Sequence, residues 1–501
     1  MSVKSSLALL LKSTFIVLFI VAPNTVKANF DFNSNCLKAY QYIFELKLNA
    51  ARQIIAAEKR THPQNSIVPL LENYIDYFYL ITSENKKDFD RLENKKSERL
   101  DIISDDSDRK SPYYLYAQAE INLQWALLRG RYGEFFAAAR EINKANSLLR
   151  ENSKKFPAFP LNNKGLGLIN VFLGNLPEGI LKKTLSAFGI KGNVQGGLAT
   201  LDLLTVNLQT STYEPFYPEV VFYYAFVLSD VAHSPSAYAK TMKYTARIAD
   251  SSLLKSYLQA YICTRNAHND EAIAILSKRP SGDAYQVFPF LELLMGTARL
   301  NKLDYSAAIN FKKFLAINKG VNYIKDAYLH LSWIALLNND TGAYNAAIAQ
   351  IRSTGATYHD KDKQAMNEVA AGAPSSELLK ARLLFDGGYY SGALAVLSDQ
   401  QAANFKKEKD KVEFYYRMGR IYDALGKDET ALQYYQRTVN TGRNLKYYYA
   451  ATAALNMGKI YAGRNNAKAR ICFTMACNMK NHEYENSIEA QAKEGLKNLG
   501  D

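Results

Sequence analysis

The chain has 501 residues, of which 48% are hydrophobic and 22% charged. That length exceeds what one compact core can organise, so several domains or a repeat array are expected, and the composition excludes global disorder. The net charge of +14 is spread thinly, with no block of six basic residues, which argues against a nucleic-acid groove.

The first 28 residues read as a secretory signal peptide. Lys4 and Lys12 flank and interrupt an apolar run that peaks from Phe15 to Ala22, and Val26-Lys27-Ala28 supplies a cleavage site, with the cut expected after Ala28. An uncleaved anchor is the alternative. The run is far shorter than the roughly 20 apolar residues a span needs. No cysteine follows it directly, which disfavours a lipid anchor; Cys36 is the nearest. The mature chain is therefore expected to be periplasmic or secreted and without an integral membrane span. Association with an anionic envelope surface is possible at a charge of about +11, once the leader's three lysines are set aside.

Helical patterning then dominates. Ala51, Ile55 and Pro63 look like the second half of a helical hairpin closed by proline. Residues 84–112 are densely charged and end at Ser111-Pro112, predicting a polar helix and an exposed loop. Tyr113 to Leu128, a turn at Gly130, and Phe135 to Leu149 predict one long hairpin. Residues 164–201 carry glycines at 165, 167, 174, 179, 189, 192, 196 and 197. They predict an apolar helix, a break at Gly174-Asn175-Leu176-Pro177, a short helix, a break at Gly189-Ile190-Lys191-Gly192, and a further helix. Asp360 to Ser375 predicts a helix and then a hinge between repeat groups.

The last third is the most regular. Over 412–445, Tyr415, Met418, Gly419 and Tyr422 share one helical face, Gly426 marks a turn, and Ala431 and Tyr435 share a second face. Met457-Gly458, Tyr461, Ala469, Phe473 and Ala476 repeat the arrangement. So do Ala381, Leu384, Gly387, Ala393 and Leu397; Ala260, Ala272 and Leu276 with Pro280; Met295-Gly296, Ala307, Phe311 and Phe314; and Tyr328, Leu331, Ser332 and Ala346. Small residues where two helices cross, and aromatics filling the space between them, are what such a repeat requires.

On these residues the chain resembles the tetratricopeptide-repeat family, clearly over about 250–480 and in degenerate form before that; Thr438 departs from the usual Ala. Residues 164–201 faintly resemble a glycine-containing stretch of eukaryotic tetratricopeptide proteins of the inclusion-body-clearance type. The resemblance implies an all-α, right-handed superhelical solenoid of antiparallel helix pairs, with degenerate hairpins over 29–250 and a regular array over 251–501. It also implies a concave surface lined by the first helix of each repeat, where a protein or peptide partner would be held.

No catalytic, cofactor or metal site is expected. Gly165-Leu166-Gly167 has Asn170 where a dinucleotide fingerprint needs glycine. The six histidines never stand three or four residues apart, and His359-Asp360 and His482-Glu483 are expected in surface loops. Cys36, Cys263, Cys472 and Cys477 are read as small apolar fillers, with a bond between distant repeats as the alternative. The 35 tyrosines cluster in adjacent pairs. One of each pair, such as Tyr415 or Tyr435, belongs to the core by register, which leaves Tyr416, Tyr447 and Tyr448 as candidate partner-binding residues. The leading expectation is a non-catalytic exported scaffold for a protein or peptide. The alternative is a glycan-binding protein of the outer-membrane nutrient-uptake type, disfavoured by the missing lipid-anchor cysteine.

Overall fold

The computed structural model describes residues 29–500 apart from 177–179, 188 and 190–191, and these residues form 25 α-helices and no strand. The expected leader and parts of the two glycine-marked breaks lie outside the described residues. In chain order the helices are α1 Ser34–Phe44, α2 Leu48–Thr61, α3 Ile67–Ser83, α4 Lys86–Ser104, α5 Pro112–Arg131, α6 Phe135–Lys155, α7 Asn162–Asn175, α8 Ile180–Ala187 and α9 Val194–Leu208. Next come α10 Tyr217–Phe226, α11 Ala237–Thr245, α12 Leu253–Arg265, α13 Asn269–Ser277, α14 Phe290–Asn301, α15 Ala307–Ile317, α16 Ile324–Leu337, α17 Thr341–Ser353 and α18 Asp360–Ala371. The array ends with α19 Ser376–Asp386, α20 Tyr390–Leu397, α21 Glu408–Ala424, α22 Asp428–Gly442, α23 Tyr449–Tyr461, α24 Asn466–Asn478 and α25 Glu485–Asn498.

Local chemistry sets the boundaries. Ser111 caps α5 by accepting from the Tyr113 amide, with Pro112 in the first helical position, where its missing N–H is no loss. Asn85 caps α4 and Ser375 caps α19 in the same way. The turn of the α5–α6 hairpin falls at Gly133, whose φ of +76° favours glycine, and not at Gly130, which lies within the last turn of α5.

The expected hairpin register is present atom by atom. A methyl group placed on Gly419 would lie 2.6 Å from the Tyr435 ring, one on Gly296 2.9 Å from the Phe311 ring, and one on Gly458 2.5 Å from the Phe473 ring. Each glycine lets the second helix press an aromatic ring onto the backbone of the first. These are antiparallel helix pairs of the tetratricopeptide type, forming an all-α repeat array.

The way pairs stack fixes the curvature. From α12 onward the first helices also pack on one another: α12 on α14, α14 on α16 and α19, α19 on α21, α21 on α23. The second helices α13, α15, α20, α22 and α24 pack mainly on their sequence neighbours. Closer approach on one side places the first helices on the inner wall.

The N-terminal half closes on itself. Ser252 Oγ donates to the Phe44 carbonyl (2.8 Å) and the Gln286 amide to the Leu46 carbonyl (2.7 Å), pinning the end of α1 to the start of α12 and the approach to α14. One core runs without interruption from Phe30 to Met295, through residue 250, and further cores group 293–383, 378–421 and 412–492. Cys36, Cys263 and Cys472 are buried in these cores, Cys477 is half-buried, and all four are free thiols.

A charged network lies inside the first core. Lys164 Nζ meets Glu219 Oε1 (2.5 Å) and Glu120 Oε2 (2.9 Å), and the Tyr40 and Tyr74 hydroxyls donate to Glu219 (2.5 and 2.8 Å). Gln124 donates to Glu120, Asn73 to Gln124, and the Trp125 indole to Asn73. Five helices (α1, α3, α5, α7 and α10) contribute, so the network locks their mutual positions.

Where α7 crosses α9 the two backbones nearly touch. A methyl on Gly197 would sit 2.7 Å from the Gly167 carbonyl oxygen and 2.8 Å from Val171. Gly197→Ala should therefore force the helices apart and destabilise by about 1–3 kcal/mol. A chemical-denaturation midpoint equal to that of the native chain would refute this.

Candidate functional sites

Two places combine aromatic and charged side chains in a way that could hold another molecule. The first is on the inner wall of the C-terminal repeats. Arg382 of α19 donates to Glu368 of α18 (2.6 Å), and its guanidinium lies 4.9 Å from the Trp333 ring centroid. One turn-stack further, Arg417 Nη2 donates to Glu413 Oε1 (2.7 Å), and the Tyr449 hydroxyl donates to Glu413 Oε2 (2.8 Å). Burial works against the Glu413 carboxylate, but Arg417 and Lys409 outweigh it and hold its pKa below the ordinary carboxylate value. Both arginines are thus fixed as charged, oriented groups.

Tyr448 stands beside them. Its ring contacts Tyr449 (4.5 Å between centroids), Tyr484 (5.4 Å) and Tyr416 (5.7 Å). Burial, opposed by the charge of Arg417, pushes its hydroxyl well above the usual tyrosine pKa. Of the three tyrosines singled out from the sequence, Tyr447 and Tyr448 are half-buried at the start of α23, and Lys409 lies over the Tyr447 ring at 5.8 Å. Tyr416 is 3% exposed and forms the floor under Tyr448. The register reading had placed Tyr415 in the core and Tyr416 outside it. Tyr416 is core instead, because α21 is packed by α22 on one side and by α19 and α23 on the other, while Tyr415 is half-buried against the 378–421 core. Tyr484, half exposed and at φ +59°, belongs to the same cluster and has no spacing signal in the sequence.

The second place is a cavity of ≈ 540 Å³ between the closed N-terminal half and the α15–α18 segment, walled by helices from α3 to α18. Its lining is mostly aromatic and aliphatic, with Phe222, Tyr223, Tyr257 and Phe290 among the walls. Tyr257 contacts Phe288 (4.9 Å) and Phe290 contacts Tyr323 (4.9 Å), which in turn contacts His359 (4.2 Å). Phe135 and Tyr358, both more than 40% exposed, mark its mouth.

The polar end of this cavity is built by the α15–α16 turn. Asp362 accepts from the Tyr323 and Lys325 amides (2.7 and 2.9 Å), capping α16 from α18 and holding Tyr323 at φ +63°. His359 ends the loop between α17 and α18, with its ring half-buried and not free in solvent. It caps α18, and burial together with the nearby Arg131 charge push its pKa down to about 4. Its Nδ1 accepts from the Lys361 amide (3.1 Å), so in the neutral ring Nε2 carries the proton and donates to the Tyr323 hydroxyl (2.9 Å). His482, whose Nδ1 lies 2.8 Å from the Glu483 carbonyl, is half-buried near the Tyr484 turn. Among the described residues no group of three His, Cys, Asp or Glu side chains is placed to hold a metal ion.

The fold class follows from this geometry: an all-α array of tetratricopeptide-type helix pairs whose N-terminal half closes on itself. No protein-family model and no curated protein matches the chain. Among solved structures the chain is similar to the APC/C hetero-tetramer Cut9–Hcn1 (11% identity, 94% of this chain and 97% of that chain covered, TM-score 0.27). It is also similar to yeast Tom70 (12% identity, 92% and 95% covered, TM-score 0.23). Likeness at these TM-scores carries no functional argument, and the assignment of fold rests on the hairpin contacts themselves.

Proposed function

We propose that the chain is a non-catalytic, exported scaffold that holds a protein or peptide partner on the inner wall of its C-terminal repeats. The observation that carries this reading is the cluster of Arg382, Tyr448 and Tyr484 on that wall, underlain by the buried Arg417. Arginine and tyrosine are the residue types that concentrate binding energy at protein interfaces. Here their side chains are already immobilised by Glu368, Glu413 and Tyr449, which lowers the entropic cost of engaging a partner. The inner wall is made of rigid helices, so the cluster keeps its spacing without the partner. Export rests on the leader pattern in residues 1–28, and a periplasmic or secreted location is part of the proposal.

Pull-down from envelope extract with the mature chain should recover a stoichiometric protein. Tyr448→Ala and Tyr484→Ala should each weaken that complex by about tenfold or more, with the thermal midpoint moving little. Normal binding by both variants would remove the partner from this wall. Specific retention on a glycan array, with no protein recovered, would support a glycan-binding protein instead.

A further inference from the structure

The charges that line the cavity are all matched. Arg131 pairs with Glu84, Asp230 accepts from the Tyr261 hydroxyl (2.6 Å) and lies 3.4 Å from Arg265, and Asp360 pairs with Lys363 (2.9 Å). An ionic ligand would bring an unmatched charge into a mostly apolar enclosure, which costs several kcal/mol. Hydrogen-bonding capacity, by contrast, is left over at one end. Asn322 is 2% exposed and lines the cavity with its Oδ1 unpartnered. Asn318, four residues earlier on the same turn, uses its Oδ1 for the Gly320 amide (3.0 Å) and has an unpartnered Nδ2. The Tyr323 hydroxyl accepts from His359, so its own proton is free to donate. Such leftovers in a buried site are expensive unless something satisfies them. The volume lies within the roughly 300–1,000 Å³ of pockets that enclose small ligands.

We propose that this cavity binds an uncharged amphiphile: a molecule with a long apolar body and one compact head, a hydroxyl or primary amide, that both donates and accepts hydrogen bonds. The apolar body lies among the aromatic walls. The head donates to Asn322 Oδ1 and accepts from Asn318 Nδ2 and the Tyr323 hydroxyl. The site is separate from the C-terminal wall, so either assignment can fail without the other.

The test measures binding of dodecanol, dodecanamide and dodecanoate to the mature chain at about pH 8, where dodecanoate is ionised. Dodecanol and dodecanamide should bind saturably at one site per chain, and dodecanoate at least about tenfold more weakly. Asn322→Leu should weaken dodecanol and dodecanamide by about tenfold while its circular-dichroism spectrum stays native. Ile142→Trp, which puts a bulky indole where a smaller aliphatic side chain lines the cavity, should abolish both. Tyr448→Ala should leave them unchanged. Absence of saturable binding by the two neutral probes, equal affinity for dodecanoate, or unaltered affinity in a folded Asn322→Leu chain would each overturn the proposal.

Discussion

Lys164→Met is expected to destabilise the N-terminal half by about 3–5 kcal/mol, the range for removing one partner of a buried ion pair. Lys164 is fully buried, and its ammonium stands between two carboxylates contributed by different helices, Glu120 of α5 and Glu219 of α10. Without it, two acids face each other in a medium that solvates neither. Glu219→Gln should be milder, because Gln keeps one carbonyl oxygen to accept from one of the Tyr40 and Tyr74 hydroxyls, its amide can donate to the oxygen of the other, and Lys164 keeps Glu120 as counter-charge. The pH dependence carries the same information. Burial, which Lys164 only partly offsets, raises Glu219 from an ordinary value near 4.5 to about 7. A folded-state value above the unfolded one means that Glu219 contributes most below about pH 4.5, and that this share is lost as pH rises to and through 7. In Glu219→Gln that part of the pH dependence should vanish, which denaturant titrations at pH values across this window would register. Identical stabilities of Lys164→Met and Glu219→Gln would contradict the account.

Phe311→Ala should cost about 3–5 kcal/mol in the α14–α16 region. The ring is fully buried, lies on the bare backbone of Gly296, and stacks on His330 at 4.9 Å between centroids. Its removal leaves a void at the junction of three helices. In a repeat array each hairpin is stabilised by its neighbours, so the loss should also weaken α12–α13 and α16–α17. Limited proteolysis of the variant should begin in this stretch, and hydrogen exchange there should accelerate. Gly296→Ala attacks the same contact from the other side and should cost about 1–3 kcal/mol. Because the two residues touch, their effects should not add. A Phe311→Ala chain as stable as the parent would mean that the ring does not seal this junction.

The hairpins were legible because each carries its own evidence within a few dozen residues. Gly419 and Tyr435, Gly296 and Phe311, and Gly458 and Phe473 sit at separations that only a tight helical crossing explains. Closure of the N-terminal half was not legible. Tyr40 and Glu219 are 179 residues apart, and no periodicity links them. A weaker signal was present, since Glu120 interrupts an apolar helix between Ala119 and Ile121, and Glu219 begins a Val- and Tyr-rich one. A charge in such a run calls for a buried counter-charge, though not for a particular one. Tyr448 was found as a member of a tyrosine cluster, whereas Arg382 and Arg417 were missed, because an arginine on a helix reads as solvated surface until the neighbouring helix supplies Glu368 or Glu413. The cavity arises only from ring closure and the α15–α16 turn, so local spacing could not reveal it.

Hydrogen exchange of the protein with and without its captured protein partner tests the central claim most directly. The account predicts protection concentrated on the inner first helices α19, α21 and α23 and on the segment around Tyr448 and Tyr484, with α20, α22 and α24 unchanged. Protection confined to those outer helices, or absent from the repeats altogether, would contradict it.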